Sequence, residues 1–179
     1  MISVTKNYPG ANPEDIATIK KFVQFTLDMF VPIKTQKKSK IHIRVLSPQE
    51  MKSTTMLEDF KNFKAWCVYG GYDANKTKKF TVVLNANKIR KGKKTTTRLK
   101  GLLLDLAHEM VHVKQYLNNE LKIYIDGSYK FLGKRYAANT DDDFDMYYYN
   151  SPEEIEAYGR ENGLYQIFCN KIREESFKN

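Results

Sequence analysis

The sequence is poor in the residues that most often bind transition metals. Its 179 residues include three histidines and two cysteines. Cys67 and Cys169 lie far apart and do not have the spacing of zinc ligands, so neither a disulfide scaffold nor a cysteine-rich zinc module is expected. Reduced thiols are the expectation for both cysteines. Any metal site must therefore combine histidine with carboxylates.

Long apolar runs are also absent. No run approaches the roughly 18 residues that a membrane span requires. The first residues, Met1 to Tyr8, lack the hydrophobic core of a signal peptide. We therefore expect a cytoplasmic protein without a membrane partner, in the cytoplasm of a host cell if the source is viral.

Apolar, aromatic and basic residues are plentiful by comparison. Hydrophobic residues make up 41% of the chain and aromatic residues 13%, which argues against disorder and for one domain spanning residues 1–179. The formal net charge of +9 favours contact with polyanions, although solubility explains it equally well. The most basic stretch, Lys88–Lys100, predicts either a nucleic-acid contact or a solvated loop.

Spacing of apolar residues and turn residues predicts an α+β fold. We expect a scaffold helix that starts at Asn12-Pro13 and ends before Pro32, and a small, mostly antiparallel sheet. A helix without Gly or Pro between its ends covers Leu102–Tyr116, and another starts at Ser151-Pro152 and weakens at Gly163. The strand Lys79–Asn85 is expected at a sheet edge, where an extended peptide could pair with it. The remaining expected strands are Ile41–Leu46, Ala65–Tyr72, Leu121–Ile125 and Ser128–Leu132.

The helix predicted over Leu102–Tyr116 carries the strongest chemical motif, His108-Glu109-x-x-His112. Two histidines four residues apart lie on one helix face, so both imidazoles can reach one ion. A glutamate beside the first histidine can hold a water on that ion. Apolar residues cover both flanks of the polar stripe, which predicts a buried helix opening onto a cleft.

The motif supplies two ligands, whereas a catalytic zinc commonly has three protein ligands and one open position. His42, the only other histidine, alternates away from the apolar face of its strand, and we expect it to be surface-exposed or hydrogen-bonded. The third ligand is therefore expected to be a carboxylate downstream of the motif. Candidates are Glu120, Asp126, the Asp141–Asp145 loop, Glu153, Glu154, Glu156 and Glu161.

Rigidity favours the carboxylates of the helix that starts at Ser151. Ser151 and Glu154 also have the spacing of a capping box, which offers Glu154 a purely structural role. The Asp141–Asp145 loop has no EF-hand spacing, and a solvated acidic loop is the favoured interpretation.

The motif and the second helix together resemble the gluzincin metallopeptidases. In these enzymes a second helix carries Glu-x-x-Ala or Glu-x-Glu-Ala, here Glu154-Ile-Glu-Ala157. The resemblance implies a zincin-like domain in which Glu154 is the third zinc ligand, with Glu156 in reserve. The family often has Asp directly after the Ala; Tyr158 stands there in this chain.

The chain is also similar to small phage and bacterial metallopeptidase-like proteins, some of them loosely called SprT-like. The similarity rests on His112-Val-Lys-Gln-Tyr116 and on Pro152-Glu-Glu-Ile-Glu-Ala-Tyr158, and it covers residues 101–158 in patches. SprT-type proteases use a third histidine, which this chain lacks.

These patterns predict a zinc metallopeptidase that acts on a protein or peptide. Glu109 is the expected general base, Tyr158 or Tyr136 the expected donor to the oxyanion, and Asp105 or Asp126 the expected partner that orients a ligand imidazole. Two alternatives stay open. One is a basic, nucleic-acid-associated protein with a structural zinc, and the other is a zinc amidase acting on a non-peptide or cell-wall amide.

Overall fold

The structure, a computed structural model, describes residues 1–5, 13–46, 64–85, 95–138 and 144–177. Within these ranges the chain forms seven strands and five helices, which confirms the α+β class. The elements in order are β1 (Ile2–Val4), α1 (Pro13–Phe30), α2 (Ile33–Gln36), β2 (Ser39–Leu46), β3 (Ala65–Tyr72), β4 (Lys78–Asn85), α3 (Thr95–Leu117), β5 (Leu121–Ile123), β6 (Tyr129–Phe131), β7 (Lys134–Tyr136), α4 (Phe144–Asn150) and α5 (Pro152–Ser176).

The larger sheet is mixed, so the expectation of a mostly antiparallel sheet is wrong for it. Its strand order is β1-β2-β4-β3, and the pairings of β1 with β2 and of β2 with β4 are both parallel. Parallel neighbours need a crossover connection, and α1 lies between β1 and β2 in the chain. Among the described strands of this sheet, β3 and β4 are the one antiparallel pair.

The strand order also overturns the expected edge position of Lys79–Asn85. This stretch belongs to β4, which lies between β2 and β3. An interior strand has no unpaired backbone edge to offer to a peptide. Among the described strands of this sheet, β1 and β3 stand at the edges.

One face of the larger sheet forms the hydrophobic core with the helices. Alternate residues of β2 and β4, including Ile43 and Val82, are fully buried against α1 and α3. The α3 helix contributes Leu106, Met110 and Val113 to the same core and packs against β3, β4 and α5. The expected burial of both flanks of the motif helix is confirmed in this arrangement.

The last described helix, α5, runs without interruption through the glycine at which we expected it to weaken. A helical glycine costs about 1 kcal/mol relative to alanine. Ala157, Leu164 and Phe168 keep helical spacing on both sides of Gly163 and are buried. Tertiary packing of this stripe therefore outweighs the local preference.

The smaller sheet contains the predicted hairpin and one further strand. β5 pairs with β6 and β6 with β7, all antiparallel. The predicted turn at Asp126-Gly127 is present, and Gly127 has a φ of 77°, a conformation that glycine adopts without strain. No helix in the described ranges has the length and apolarity needed to cross a bilayer.

Phe168 attaches α5 to α1, so its truncation is expected to destabilise the fold. Its ring meets Phe22 edge-on at 5.0 Å and Phe25 at 5.5 Å. Phe168→Ala should lower the free energy of unfolding in urea by about 3–5 kcal/mol. Ile167→Ala, at a neighbouring position that is 49% exposed, is the control and should change it by less than about 0.5 kcal/mol. Equal effects of the two substitutions would contradict this packing.

Candidate metal centre

The middle of α3 presents the three polar residues of the motif toward α5. His108, Glu109 and His112 are all buried, with relative exposures of 7%, 5% and 8%. The two imidazoles lie one helical turn apart, with ring centroids separated by 5.0 Å. Burial of three ionisable groups in one helix is costly unless they are paired or bind an ion.

The first turn of α5 supplies the carboxylate that faces these histidines. Ser151 adopts the extended conformation of an N-cap, and Pro152 occupies the first turn as predicted. The Ser151 hydroxyl donates to the carbonyl of Tyr148 at 2.8 Å and makes no capping bond within α5. The capping-box interpretation of Glu154 is therefore wrong, and its carboxylate points to the histidines instead.

His108, His112 and Glu154 together form a cluster that could hold a metal ion. The Nε2 atoms of the two histidines are 3.3 Å apart. Glu154 Oε2 lies 3.0 Å from His108 Nε2, and Glu154 Oε1 lies 3.2 Å from His112 Nε2. Three donor atoms from two helices thus converge on one small volume.

These separations fit a tetrahedral ion. Two ligand atoms at ~2.1 Å from such an ion lie about 3.4 Å apart, close to the distances found here. Two imidazole nitrogens and a carboxylate oxygen are a donor set that suits zinc and other divalent transition metals. Each imidazole Nε2 also lies within hydrogen-bonding distance of one Glu154 oxygen.

The charges of the cluster reinforce one another. Burial alone would raise the pKa of Glu154, but hydrogen bonds from His108 and His112 lower it to about 2. Burial alone would lower the pKa of His112, but its hydrogen bond to Glu154 and the charge of Glu109 raise it to about 9. Glu154 is therefore held as a carboxylate, the form that binds a metal.

Glu109 lies in a different environment from Glu154, although both are buried. Burial raises the pKa of Glu109 to about 7. The charges of Glu154 and Asp105 also raise this pKa, whereas the charges of the two histidines lower it. Burial also raises the pKa of Asp105, to about 6. Glu109 therefore has a proton affinity suited to exchanging protons near neutral pH.

Two tyrosines from α4 and α5 border the cluster. The Tyr158 ring, predicted as an oxyanion donor, lies 4.4 Å from the His108 ring and is 41% exposed. Tyr148, which the sequence analysis did not single out, hydrogen-bonds Glu154; burial and this carboxylate raise its pKa. Its position just ahead of the second ligand helix is a signal that could have identified it.

The Nδ1 atoms of the two histidines, which point away from the three converging donors, face different partners. His112 Nδ1 lies 2.9 Å from Gln115 Oε1, a partner that we had not predicted although the i, i+3 spacing places it on the same helix face. His108 Nδ1 lies 3.4 Å from Glu161 Oε2. Glu161 thus stands behind His108 rather than among the three converging donors. Asp105 contributes charge near His108 without taking this position.

Asp126, the other expected partner of a ligand imidazole, serves the hairpin instead. It accepts hydrogen bonds from the Ser128 hydroxyl and backbone and pairs with Arg135. Tyr136, the second predicted oxyanion donor, stacks on Tyr129 in the small sheet at 5.0 Å. Neither residue is placed with the triad by its described contacts.

The remaining acidic candidates of the described chain are engaged elsewhere. Glu156, the reserve ligand, accepts from Lys114, Gln115 and Arg160 and is not among the three converging donors. Glu120 lies 2.6 Å from Lys114 Nζ. Glu153 is hydrogen-bonded by Tyr129 and Ser151.

Three further expectations concern residues away from the cluster. His42 is hydrogen-bonded to Ser3 at 2.8 Å and to Thr5 at 3.3 Å, which confirms the expected hydrogen-bonded histidine. Most of the basic stretch Lys88–Lys100 lies outside the described residues, as do Asp141–Asp143. Where the structure does describe the basic stretch, Lys100 lies over the Tyr165 ring at 5.7 Å.

Comparison with protein-family models gives no match, and comparison with curated proteins gives none either.

Each of the three converging side chains should be necessary for tight metal binding. His108→Ala, His112→Ala and Glu154→Ala should each reduce bound Zn²⁺ or Co²⁺ after dialysis from about one ion per chain to nearly none, because two ligands bind weakly. Elemental analysis measures the content. Glu174→Ala removes an exposed carboxylate from α5, the helix that carries Glu154, and this variant should retain the full metal content. Retention of metal by all three triad variants would contradict the assignment.

Proposed function

We propose that the protein is a zinc-dependent metallopeptidase that hydrolyses peptide bonds. The observation that carries this proposal is the buried Glu109 beside a cluster of two imidazoles and one carboxylate. A site that only stabilised a fold would need a fourth protein ligand and would have no use for a buried carboxyl next to it. Glu109 instead has the position and proton affinity of a general base.

His108, His112 and Glu154 would hold the zinc, which when bound polarises the scissile carbonyl and acidifies a water molecule. Glu154 carries the single charge among these three ligands, since each imidazole binds metal in its neutral form. One carboxylate therefore offsets part of the charge of the ion, and the remaining positive charge attracts the substrate carbonyl.

Glu109 moves the protons of the reaction in this proposal. Its carboxylate accepts a proton from the attacking water as the new C–O bond forms. It then gives that proton to the leaving nitrogen as the C–N bond breaks, which yields a carboxylic acid and an amine. Burial excludes competing water from this carboxyl, and the histidine at the preceding position keeps it close to the ion.

Tyr158 is the proposed donor to the oxyanion. Burial and the neighbouring Tyr149 and Glu154 raise its pKa, so it keeps a proton to donate at neutral pH. Tyr158 is also partly exposed beside His108, where a substrate can reach it. Tyr148 gives its single hydroxyl proton to Glu154 and helps to hold that ligand.

Strand β3 replaces β4 as the proposed binding edge for an extended peptide. It is an edge strand, and α3 packs against it. Burial and the charge of Glu109 raise the pKa of Cys67, which places the inner face of β3 beside the proposed base. A peptide that paired with this edge would therefore lie along α3, with its backbone carbonyls near the cluster.

Replacement of the proposed base should separate metal binding from catalysis. Glu109→Gln keeps the size of the side chain but removes the proton acceptor, so zinc content should stay at about one ion per chain. Cleavage of casein or of a fluorogenic peptide library should fall by a factor of about 10²–10⁴. The proposal fails if the zinc-loaded wild type cleaves neither substrate, or if the Gln variant cleaves as fast.

Removal of the metal should leave the fold largely intact, because the core formed by α1, α3, α5 and the sheet does not depend on the ion. Chelation should lower the melting temperature while preserving the helical circular-dichroism signal at 25 °C, as expected when a ligand binds only the folded state. Loss of helical signal on chelation, with recovery on zinc addition, would favour the structural-zinc alternative.

A further inference from the structure

A chain of buried polar side chains lies behind His112, on the side away from the proposed metal. Gln115 is fully buried and Lys114 is 8% exposed, although both types of residue are usually found at the surface. Gln115 contacts His112, Glu153 and Glu156, and Lys114 contacts Glu156 and Glu120. The proposed reaction uses none of these contacts directly.

The orientation of the Gln115 amide follows from the partners of its nitrogen. Gln115 Nε2 donates to the backbone carbonyl of Glu153 at 2.9 Å and to Glu156 Oε2 at 3.1 Å. A carbonyl and a carboxylate only accept hydrogen bonds, so the NH₂ group must face them. The amide oxygen is thereby directed at His112 Nδ1, 2.9 Å away.

An amide oxygen can only accept, so His112 Nδ1 must carry a proton. The other ring nitrogen, Nε2, is then the one that can present a lone pair to a metal. This nitrogen is the one that faces His108 and Glu154. The tautomer needed for metal binding is therefore set by Gln115.

Glu156 is fixed in turn by a cation. Lys114 Nζ lies 2.7 Å from Glu156 Oε1 and 2.6 Å from Glu120 Oε2. Arg160 Nε also donates to Glu156 Oε1, at 2.8 Å. Glu156 thus remains an acceptor for Gln115 and links α5 to the residues that follow the metal motif on α3.

We propose that Gln115 is a positioning residue for the metal, fixing the tautomer and ring orientation of His112, and that Glu156 and Lys114 act through Gln115. The proposal rests on the metal site proposed above. His108 differs in this respect, because its Nδ1 lies 3.4 Å from Glu161 without a hydrogen bond. His112 is thus the ligand whose geometry is set before the ion arrives.

The test is a double-mutant cycle read as zinc affinity, measured by competition with a chromophoric chelator. Gln115→Leu should weaken zinc binding by a factor of about 10–100, the usual effect of losing an outer partner of a ligand histidine. Glu156→Ala should weaken it by a smaller factor. Lys114 keeps Glu120 as its partner in this variant, so no buried cation loses its only counter-charge.

The double variant should bind zinc as weakly as Gln115→Leu alone, because Glu156 is inferred to act only through Gln115. Glu156→Gln can offer its one amide oxygen to the Gln115 amide while Lys114 keeps Glu120, so it should weaken zinc binding less than Glu156→Ala does. Arg160→Ala removes the exposed contact to the same carboxylate and is the matched control, with affinity unchanged.

Additive losses in the cycle, or a Gln115→Leu protein with wild-type affinity, would overturn the proposal while leaving the metal site intact. If Gln115→Leu does not fold, the comparison of Glu156→Ala with Glu156→Gln decides, since equal affinities would contradict positioning. Absence of zinc binding in the wild type would instead refute the proposed function itself. Long-range ¹H–¹⁵N spectra of the His112 ring in the zinc-loaded protein provide a second readout. An Nδ1–H signal is expected in wild type, and its absence would contradict the proposal.

Discussion

The contact between Glu154 and the two histidines is the interaction on which the functional interpretation depends. It joins the middle of α3 to the first turn of α5, and it exists only because a hydrophobic stripe on α5 packs against α1 and α3. Residues such as Phe168, far from the cluster, therefore contribute to its geometry. The same contact explains the contrast between two buried glutamates. The imidazoles hold Glu154 ionised, whereas burial raises the pKa of Glu109 toward neutral pH.

Much of the fold could be predicted because local signals were strong. Helix α1 begins and ends close to the expected residues, α3 ends where expected and α5 begins where expected, since proline, apolar spacing and the asparagines after Leu117 act locally. The α3 helix begins at Thr95, seven residues before the predicted Leu102, and α5 continues past Gly163 to Ser176. Strand neighbours could not be predicted in the same way. Alternation identifies a strand and its buried face, but the order β1-β2-β4-β3 is decided by long-range packing, and so β4 was wrongly expected at an edge.

The candidate site shows the same division between local and distant information. The spacing of His108, Glu109 and His112 is a property of one helix, and it was read directly from the sequence. The choice of Glu154 over Glu156 as third ligand needed the resemblance to gluzincin metallopeptidases, because spacing alone allows either carboxylate of the same helix to be the ligand. The structure distinguishes them through charge, since Lys114 and Arg160 engage Glu156 whereas only the imidazoles and a tyrosine face Glu154. Gln115 and Tyr148 gave only weaker signals, a shared helix face with His112 for the first and a position just ahead of α5 for the second.

The sequence separation within the cluster has a consequence for the order of folding. Glu154 lies 46 residues beyond His108, and the small sheet and α4 come between them. A partly folded chain with α3 formed but α5 undocked would offer an ion only two neighbouring ligands. Tight metal binding would thus follow the docking of α5 and come late in folding. Contacts that form after the transition state slow unfolding much more than they speed folding, so a bound ion would act mainly on the unfolding rate.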